Sequence, residues 1–306
     1  MSYLKRLYYT FKPIIPRSFQ IALRRNIVFV KRPLYRNVWP INEGAGEKPK
    51  GWPGWPDRKR FAFVLLHDVD TERGHDKCRQ LMQLDEEMGF YSLFSFVPER
   101  YPVSPALRQD LGKKGFEVGV HGLKHDGKLF LSRNGFRRQA VRVNRYLNEW
   151  RSVGFVSPSM HRNLDWMHDL NIEYDASTFD TDPFEPQPDG AATIFPFIVR
   201  GNNGQRGYVE LPYTLPQDFT LFVIMKEKNI DIWKKKLDWI VERGGMALSI
   251  THPDYMNGGR GGCTMEEYPM AFYRELLGYV SQKYEGQYWN PLPKEIARFW
   301  KGTMKD

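Results

Sequence analysis

Cysteine is almost absent from this 306-residue chain: only Cys78 and Cys263 occur, far apart and without the close spacing of a zinc knuckle or a redox pair. Two such thiols require no disulfide framework, and a reducing cytoplasm is the expected setting. Long hydrophobic runs are missing as well. No stretch of about 18 apolar residues is present to cross a bilayer as a helix, and the apolar run at 27–30 is too short for the core of a secretory signal. Acidic residues are missing from one region in particular, because none precedes Glu43. Histidine is sparse, with seven in the chain, so their positions carry information.

The missing acids make the charge lopsided. Residues 1–60 hold 14 Lys and Arg against Glu43, Glu47 and Asp57, a net +11, while the remaining 31 basic and 33 acidic residues give −2. The overall +9 is therefore a property of the N-terminal arm. A near-neutral body excludes a nucleic-acid groove built across the fold, so no nucleic acid is expected as a partner. Within residues 1–41, Lys5, Arg6, Arg17, Arg24, Arg25, Lys31 and Arg32 interleave with Leu4, Leu7, Tyr8, Tyr9, Phe11, Phe19, Ile21 and Leu23. Such a basic amphipathic arm suits an anionic membrane surface, which would make the protein peripheral at the inner face of the membrane. An arm packed over the body with its charges solvated, or a mitochondrial transit peptide, are the competing readings. Pro13 and Pro16 break the segment, and Ser18 is placed to cap a helix running to about Val30.

Residues 43–57, EGAGEKPKGWPGWPD, read as a Gly/Pro-rich linker, which divides the chain into an arm with linker (1–57) and a folded body (58–306). In the body, the strand candidates FAFVLL (61–66), YSLFSFV (91–97), FEVGV (116–120) and MALSIT (246–251) alternate with helical spacing over 76–88, 105–114, 134–150 and 230–243. Strand and helix in alternation mean parallel strands covered by crossover helices, an α/β fold. Aromatic residues reach 15%, enough for a ring-rich core or for a groove that stacks on sugar faces.

The first strand is apolar on both faces and runs into His67-Asp68-Val69-Asp70. Active sites of parallel α/β folds sit at strand C-termini, and residues two apart in an extended chain share a side, so Asp68 and Asp70 are expected in one pocket. FEVGV likewise ends in His121-Gly-Leu-Lys-His125. The i, i+4 spacing at a helix start would set both imidazoles on one face, able to grip a metal ion together with a carboxylate from the first strand. His252 follows the strand MALSIT and is a candidate acid or base, and the segment YDASTFDTD (174–182) offers carboxylates to orient an imidazole.

Taken together and in this order, HDVD, HGLKH, GFVSPSMHRN, YDASTFD and LSITHPDY resemble the polysaccharide deacetylase (NodB-homology) family over about residues 60–255. The resemblance implies a distorted (β/α) barrel of about seven parallel strands. It implies Asp68 as catalytic base, Asp70, His121 and His125 as ligands of one divalent ion with zinc the default, His252 as catalytic acid, and Asp175, or else Asp180, as the support of His252. The implied activity is removal of N-acetyl groups from a sugar or polysaccharide precursor, in the setting of bacterial surface polysaccharide biosynthesis. Two features depart from the family pattern. Val69 separates the two aspartates, which are commonly adjacent, and Val156 stands where an arginine normally holds the base, leaving Arg162 as a substitute. A hydrolase of another linear or cyclic amide, a catalytically silent glycan-binding barrel, and a non-haem iron oxygenase built on the same two-histidine, one-carboxylate set are the competing functions.

Overall fold

A computed structural model describes residues 16–201, 207–259 and 261–304. Its centre is β1 (Phe61–Val69), buried at all nine positions as a strand covered on both faces must be. Parallel neighbours follow on one side: β2 (Leu93–Phe96), β3 (Glu117–His121), β4 (Gly154–Val156), β5 (Tyr174–Asp175) and β7 (Tyr208–Glu210), with β6 (Phe197–Val199) added antiparallel to β7. On the other side β1 pairs over six residues with β8 (Met246–Thr251). The sheet curls until the chain after β7 meets β8, where Leu215 bridges Ser249 and the amides of Thr214 and Leu215 donate to Leu248 O. The seven parallel strands β1 to β5, β7 and β8 thus form the expected distorted barrel, joined at one seam by a single bridge instead of a full ladder. Two short pairs complete the strands: β9 (Met256–Asn257) with β10 (Tyr268–Pro269), and β11 (Tyr288–Trp289) with the start of β1.

The helices that cover the ring are α2 (Glu72–Glu87), α3 (Pro105–Lys113), α4 (Arg133–Trp150), the short α5 (Leu164–Met167), α6 (Asp231–Arg243), α7 (Met270–Lys283) and α8 (Pro293–Thr303). Side-chain caps place two of them: Ser104 Oγ accepts from the amide of Leu107 at α3 and Ser132 Oγ from that of Gly135 at α4. Trp52, Trp55, Trp289, Phe299 and Trp300 contact one another at the N-terminal end of the barrel, so much of the aromatic content is core.

The arm differs from its expectation. Helix α1 (Arg17–Lys31) follows Pro16, so Ser18 lies inside the helix and caps nothing. Its inner face buries Ile21 and Val28, and its arginines reach the barrel: Arg25 donates to Val223 O and Met265 O, and Arg32 pairs with Glu227 at 2.5 Å. The segment expected as a linker is also packed. Asn42 Oδ1 accepts from the Gly44 amide, Ala45 is buried, and Trp55 is buried with its Nε1 donating to Gly244 O at 2.9 Å. Gly and Pro serve here to bend the chain across the barrel base, not to free it. Residues 1–15 lie outside the described residues.

Where β5 and β7 pair, Asp175 and Glu210 are wholly buried side by side. Burial pushes Asp175 up to about 6 and, with the Asp175 charge beside it, raises Glu210 well above the carboxylate range. Folded-state values above the unfolded ones, about 4, mean that the pair stabilises fully below pH 4, that the Asp175 share is lost as pH rises through about 6, and that the Glu210 share is lost as pH rises through its own raised value. The expected outcome is a urea midpoint that declines between pH 4.5 and 7 in the native chain and declines less in Glu210→Gln.

Candidate active site

The parity of β1 sorts its polar residues. His67 faces outward, where its Nε2 meets Asp85 of α2 at 2.9 Å and its Nδ1 meets Thr251 Oγ1 at 2.8 Å; Tyr273 of α7 and Ser92 also donate to Asp85. His67 is thus part of the strand-to-helix packing despite its place beside the aspartates. Asp68 and Asp70 face the other way, into a cavity of about 740 Å³ at the C-terminal ends of the strands, lined also by His121, His125, His252, Asp254 and Tyr255.

His121 ends β3, and its Nδ1–H donates to Val156 O at 3.1 Å, which directs Nε2 at Asp70 Oδ1, 3.4 Å away. His125 arrives by a different route from the one its spacing suggests: residues 122–125 form a loop, not a helix start. Gly122 (φ +62°) and His125 (φ +53°) turn the chain through left-handed conformations, and a Cβ on Gly122 would lie 2.6 Å from Pro158, so the turn demands glycine. The loop sets His125 Nε2 3.0 Å from Asp70 Oδ1. One ligand atom from each of Asp70, His121 and His125 falls within 4.8 Å of the others. Asp70 Oδ1 is buried and, among the described residues, lacks a hydrogen-bond partner of its own. Burial opposes ionisation of this carboxyl, yet the imidazoles of His125 and His121 hold it well below the usual range. An anionic oxygen without a donor, facing two imidazole nitrogens, fits a divalent cation with positions left open for water and substrate.

The rest of Asp70 is tied down. Its amide donates to Asp254 Oδ2 at 2.9 Å, Thr71 Oγ1 donates to the other Asp254 oxygen, and Tyr255 OH stands 3.5 Å from Asp70 Oδ2. Helix α2 approaches closely enough that a Cβ on Gly74 would lie 2.1 Å from Asp254 Oδ2.

Asp68 accepts a 2.5 Å hydrogen bond from Ser95 Oγ, its register partner on β2. Ser95 thereby occupies the role for which Arg162 was expected. Arg162 is buried elsewhere, over the ring of Phe179, donating to Met160 O and Asp189 O, and among the described residues it makes no bond to Asp68. His252 also has an unexpected partner. Its Nδ1–H donates to Asp218 Oδ1 and its amide to Asp218 Oδ2, both at 2.7 Å, while Tyr268 OH secures Asp218 from behind. Neither Asp175 nor Asp180 supports it: Asp175 is committed to Glu210 and to Ser177 Oγ at 2.6 Å, and Asp180 is ion-paired with the buried Lys236. Asp218 precedes the turn Phe219–Ile224 in a segment without a motif, whereas Ser95 was legible in principle as a polar residue inside the apolar run YSLFSFV.

No protein-family model matches the chain, and no curated protein matches it. Solved structures do. A Mycobacterium smegmatis protein assigned as a polysaccharide deacetylase has a TM-score of 0.61 and 19% identity, covering 83% of this chain and 95% of its own. A Pseudomonas aeruginosa PAO1 protein with the same assignment has a TM-score of 0.63 and 17% identity, covering 86% and 98%. This chain has the polysaccharide deacetylase fold. Puue allantoinase shares it, with a TM-score of 0.63 and 17% identity over 85% of this chain and 96% of that one. The deacetylase fold accounts for the cavity's place at the strand ends.

Burial pulls the His252 imidazolium towards lower pKa, but the Asp218 carboxylate beside it lifts the value to about 10. Asp218→Asn should remove that lift. If His252 acts protonated, activity is lost as pH rises through its pKa, so the alkaline limb of the kcat/KM profile should move to lower pH in the variant.

Proposed function

We propose that this chain is a metal-dependent hydrolase that removes N-acetyl groups from a sugar or polysaccharide precursor. The supporting observation is that Asp68 and His252, each fixed by its own partner, line one cavity with the Asp70, His121 and His125 cluster. Asp70, His121 and His125 would hold the ion, with zinc the default for an oxygen and two imidazole nitrogens. When bound, it supplies a Lewis acid for an amide carbonyl and lowers the pKa of a water towards about 7.

The residues of the chain then divide the proton transfers. Asp68, deep in the cavity and oriented by Ser95, takes the proton from the attacking water, whose oxygen bonds to the acyl carbon. His252, protonated and held by Asp218, gives its proton to the nitrogen as the C–N bond breaks, so that acetate and a free sugar amine leave. Without that proton the amine is a very poor leaving group. The expected setting is the cytoplasmic face of a membrane, in the assembly of a surface polysaccharide.

The allantoinase likeness favours a second reading, hydrolysis of another linear or cyclic amide with the same division of roles. Acetate release from a panel of N-acetylated sugars, set against ring opening of cyclic ureides, separates the two. Asp68→Asn should retain the metal and lose about 10²- to 10⁴-fold in kcat, the usual span of general acid-base catalysis. Asp70→Ala, His121→Ala and His125→Ala should each lower metal content by elemental analysis. Near-normal kcat in Asp68→Asn would assign the base to another residue, and unchanged metal in all three alanine variants would remove the ligand assignment.

A further inference from the structure

Helix α1 is amphipathic the wrong way round for a surface helix. Its arginines face the barrel, while Phe19, Leu23, Ile27, Val30 and Leu34, spaced by three or four residues along the helix and the turn after it, form an outward stripe. Phe29 beside the stripe is 81% exposed. Ten large apolar side chains are exposed among the described residues, and seven of them lie between positions 19 and 38. An eighth, Met265, belongs to the segment that Arg25 grips. Scattered exposure needs no explanation, but this concentration marks an interaction surface.

The charge around the stripe selects what covers it. No acidic residue precedes Glu43 in the sequence, and exposed Lys31 and Arg36 lie beside the stripe residues Val30 and Leu34 along the chain. Lys31 and Arg36 would repel their counterparts if two such faces met, whereas apolar side chains with cations beside them match an anionic bilayer.

The same helix walls the catalytic cavity through Pro16, Arg17, Gln20 and Arg24. Both guanidinium groups lie over the ring of Phe219, at 5.5 and 5.1 Å. Arg17 spends one donor on Tyr255 OH at 3.2 Å and faces Glu266 at 3.6 Å; Arg24 spends one on Phe184 O at 3.4 Å and stands near Glu185. A guanidinium has five donors, so among the described residues most remain for a ligand, and their fork suits phosphate oxygens. Arg73, Arg100, Lys124 and Lys128 add positive charge to the same cavity.

We propose that the substrate is an N-acyl sugar joined through phosphate to a lipid, taken from an anionic bilayer on which the outer stripe of α1 rests, with Arg17 and Arg24 receiving the phosphate. For the reaction itself this rests on the deacetylase reading. The geometry is that of a shared wall: the lipid chain stays in the bilayer against the stripe, the phosphate meets the arginines at the mouth, and the acyl amide reaches Asp68 and His252.

The full-length protein is sedimented with vesicles of phosphatidylglycerol and phosphatidylcholine, and with phosphatidylcholine alone. Pelleting is expected with the anionic vesicles and should fall at least about tenfold in the double variant Phe29→Glu/Val30→Glu, since both side chains are exposed and each adds apolar area to the contact. Acetate release is then compared on N-acetylglucosamine, its 1-phosphate, and its polyprenyl diphosphate in the same vesicles. The phosphate should raise kcat/KM by about tenfold or more, the scale of a charge-assisted hydrogen bond, and Arg24→Met should abolish that step. The lipid form should gain further, and the double variant should lose that gain while matching the native chain on the soluble phosphate. Equal pelleting of native and double-variant protein overturns the proposal. So does self-association that the double variant abolishes, which would make a second copy the occupant, or equal kcat/KM on free and phosphorylated sugar. Silence on all three substrates overturns the deacetylase reading instead; vesicle pelleting, together with dodecyl phosphate binding weakened by Arg24→Met, then decides this inference by itself.

Discussion

Asp70 is the group on which the cavity depends. It carries a full negative charge in a buried place, and three separate contacts hold it there: two imidazoles at one oxygen, a tyrosine at the other, and Asp254 at its amide. Desolvation on this scale is tolerated only when opposite charge or strong donors compensate. The histidines compensate if protonated, and a cation does so better, because it leaves both imidazoles neutral as ligands must be. The remaining features of the site follow from this need. The Val156 carbonyl selects the His121 tautomer that presents Nε2, and the left-handed turn at Gly122 and His125 bends the second ring to the same oxygen.

Legibility in the sequence tracked the range of the interaction. The inward pairing of Asp68 with Asp70 is dictated by strand alternation, a local rule, and it held. The i, i+4 spacing of His121 and His125 implies a helix start, whereas a loop is what brings the two rings to one side of Asp70. The partners of Asp68 and His252 were misassigned because each comes from another strand or turn: Ser95 is a register neighbour 27 residues away, and Asp218 lies 34 residues before His252. No local pattern distinguishes such a serine or aspartate from many others. Strands of two or three residues, β4, β5 and β7, were invisible for a similar reason, having too few positions to show a period.

Val156 offers the cavity only its backbone carbonyl. An arginine at that position would set a permanent positive charge near Asp68 and the cluster of Asp70, His121 and His125. A serine hydroxyl orients the carboxylate without adding charge, and the backbone carbonyl of Val156 is as able as any other to fix the imidazole. The two carboxylates that were candidates for His252 are engaged in the barrel wall, where Asp175 with Glu210 and Asp180 with Lys236 join β5 to its surroundings.

The seam between β7 and β8 divides the site mechanically. Asp68, Ser95 and His121 sit on strands joined by continuous ladders, whereas Asp218 comes from the chain that has just crossed the single Leu215–Ser249 bridge. The positions of Asp68, Ser95 and His121 relative to one another are consequently fixed by backbone hydrogen bonds. His252 itself follows the six-residue ladder of β8 with β1, so what lies across the seam is the carboxylate that orients its ring. Closure of the barrel at that bridge is therefore what brings carboxylate and imidazole into register.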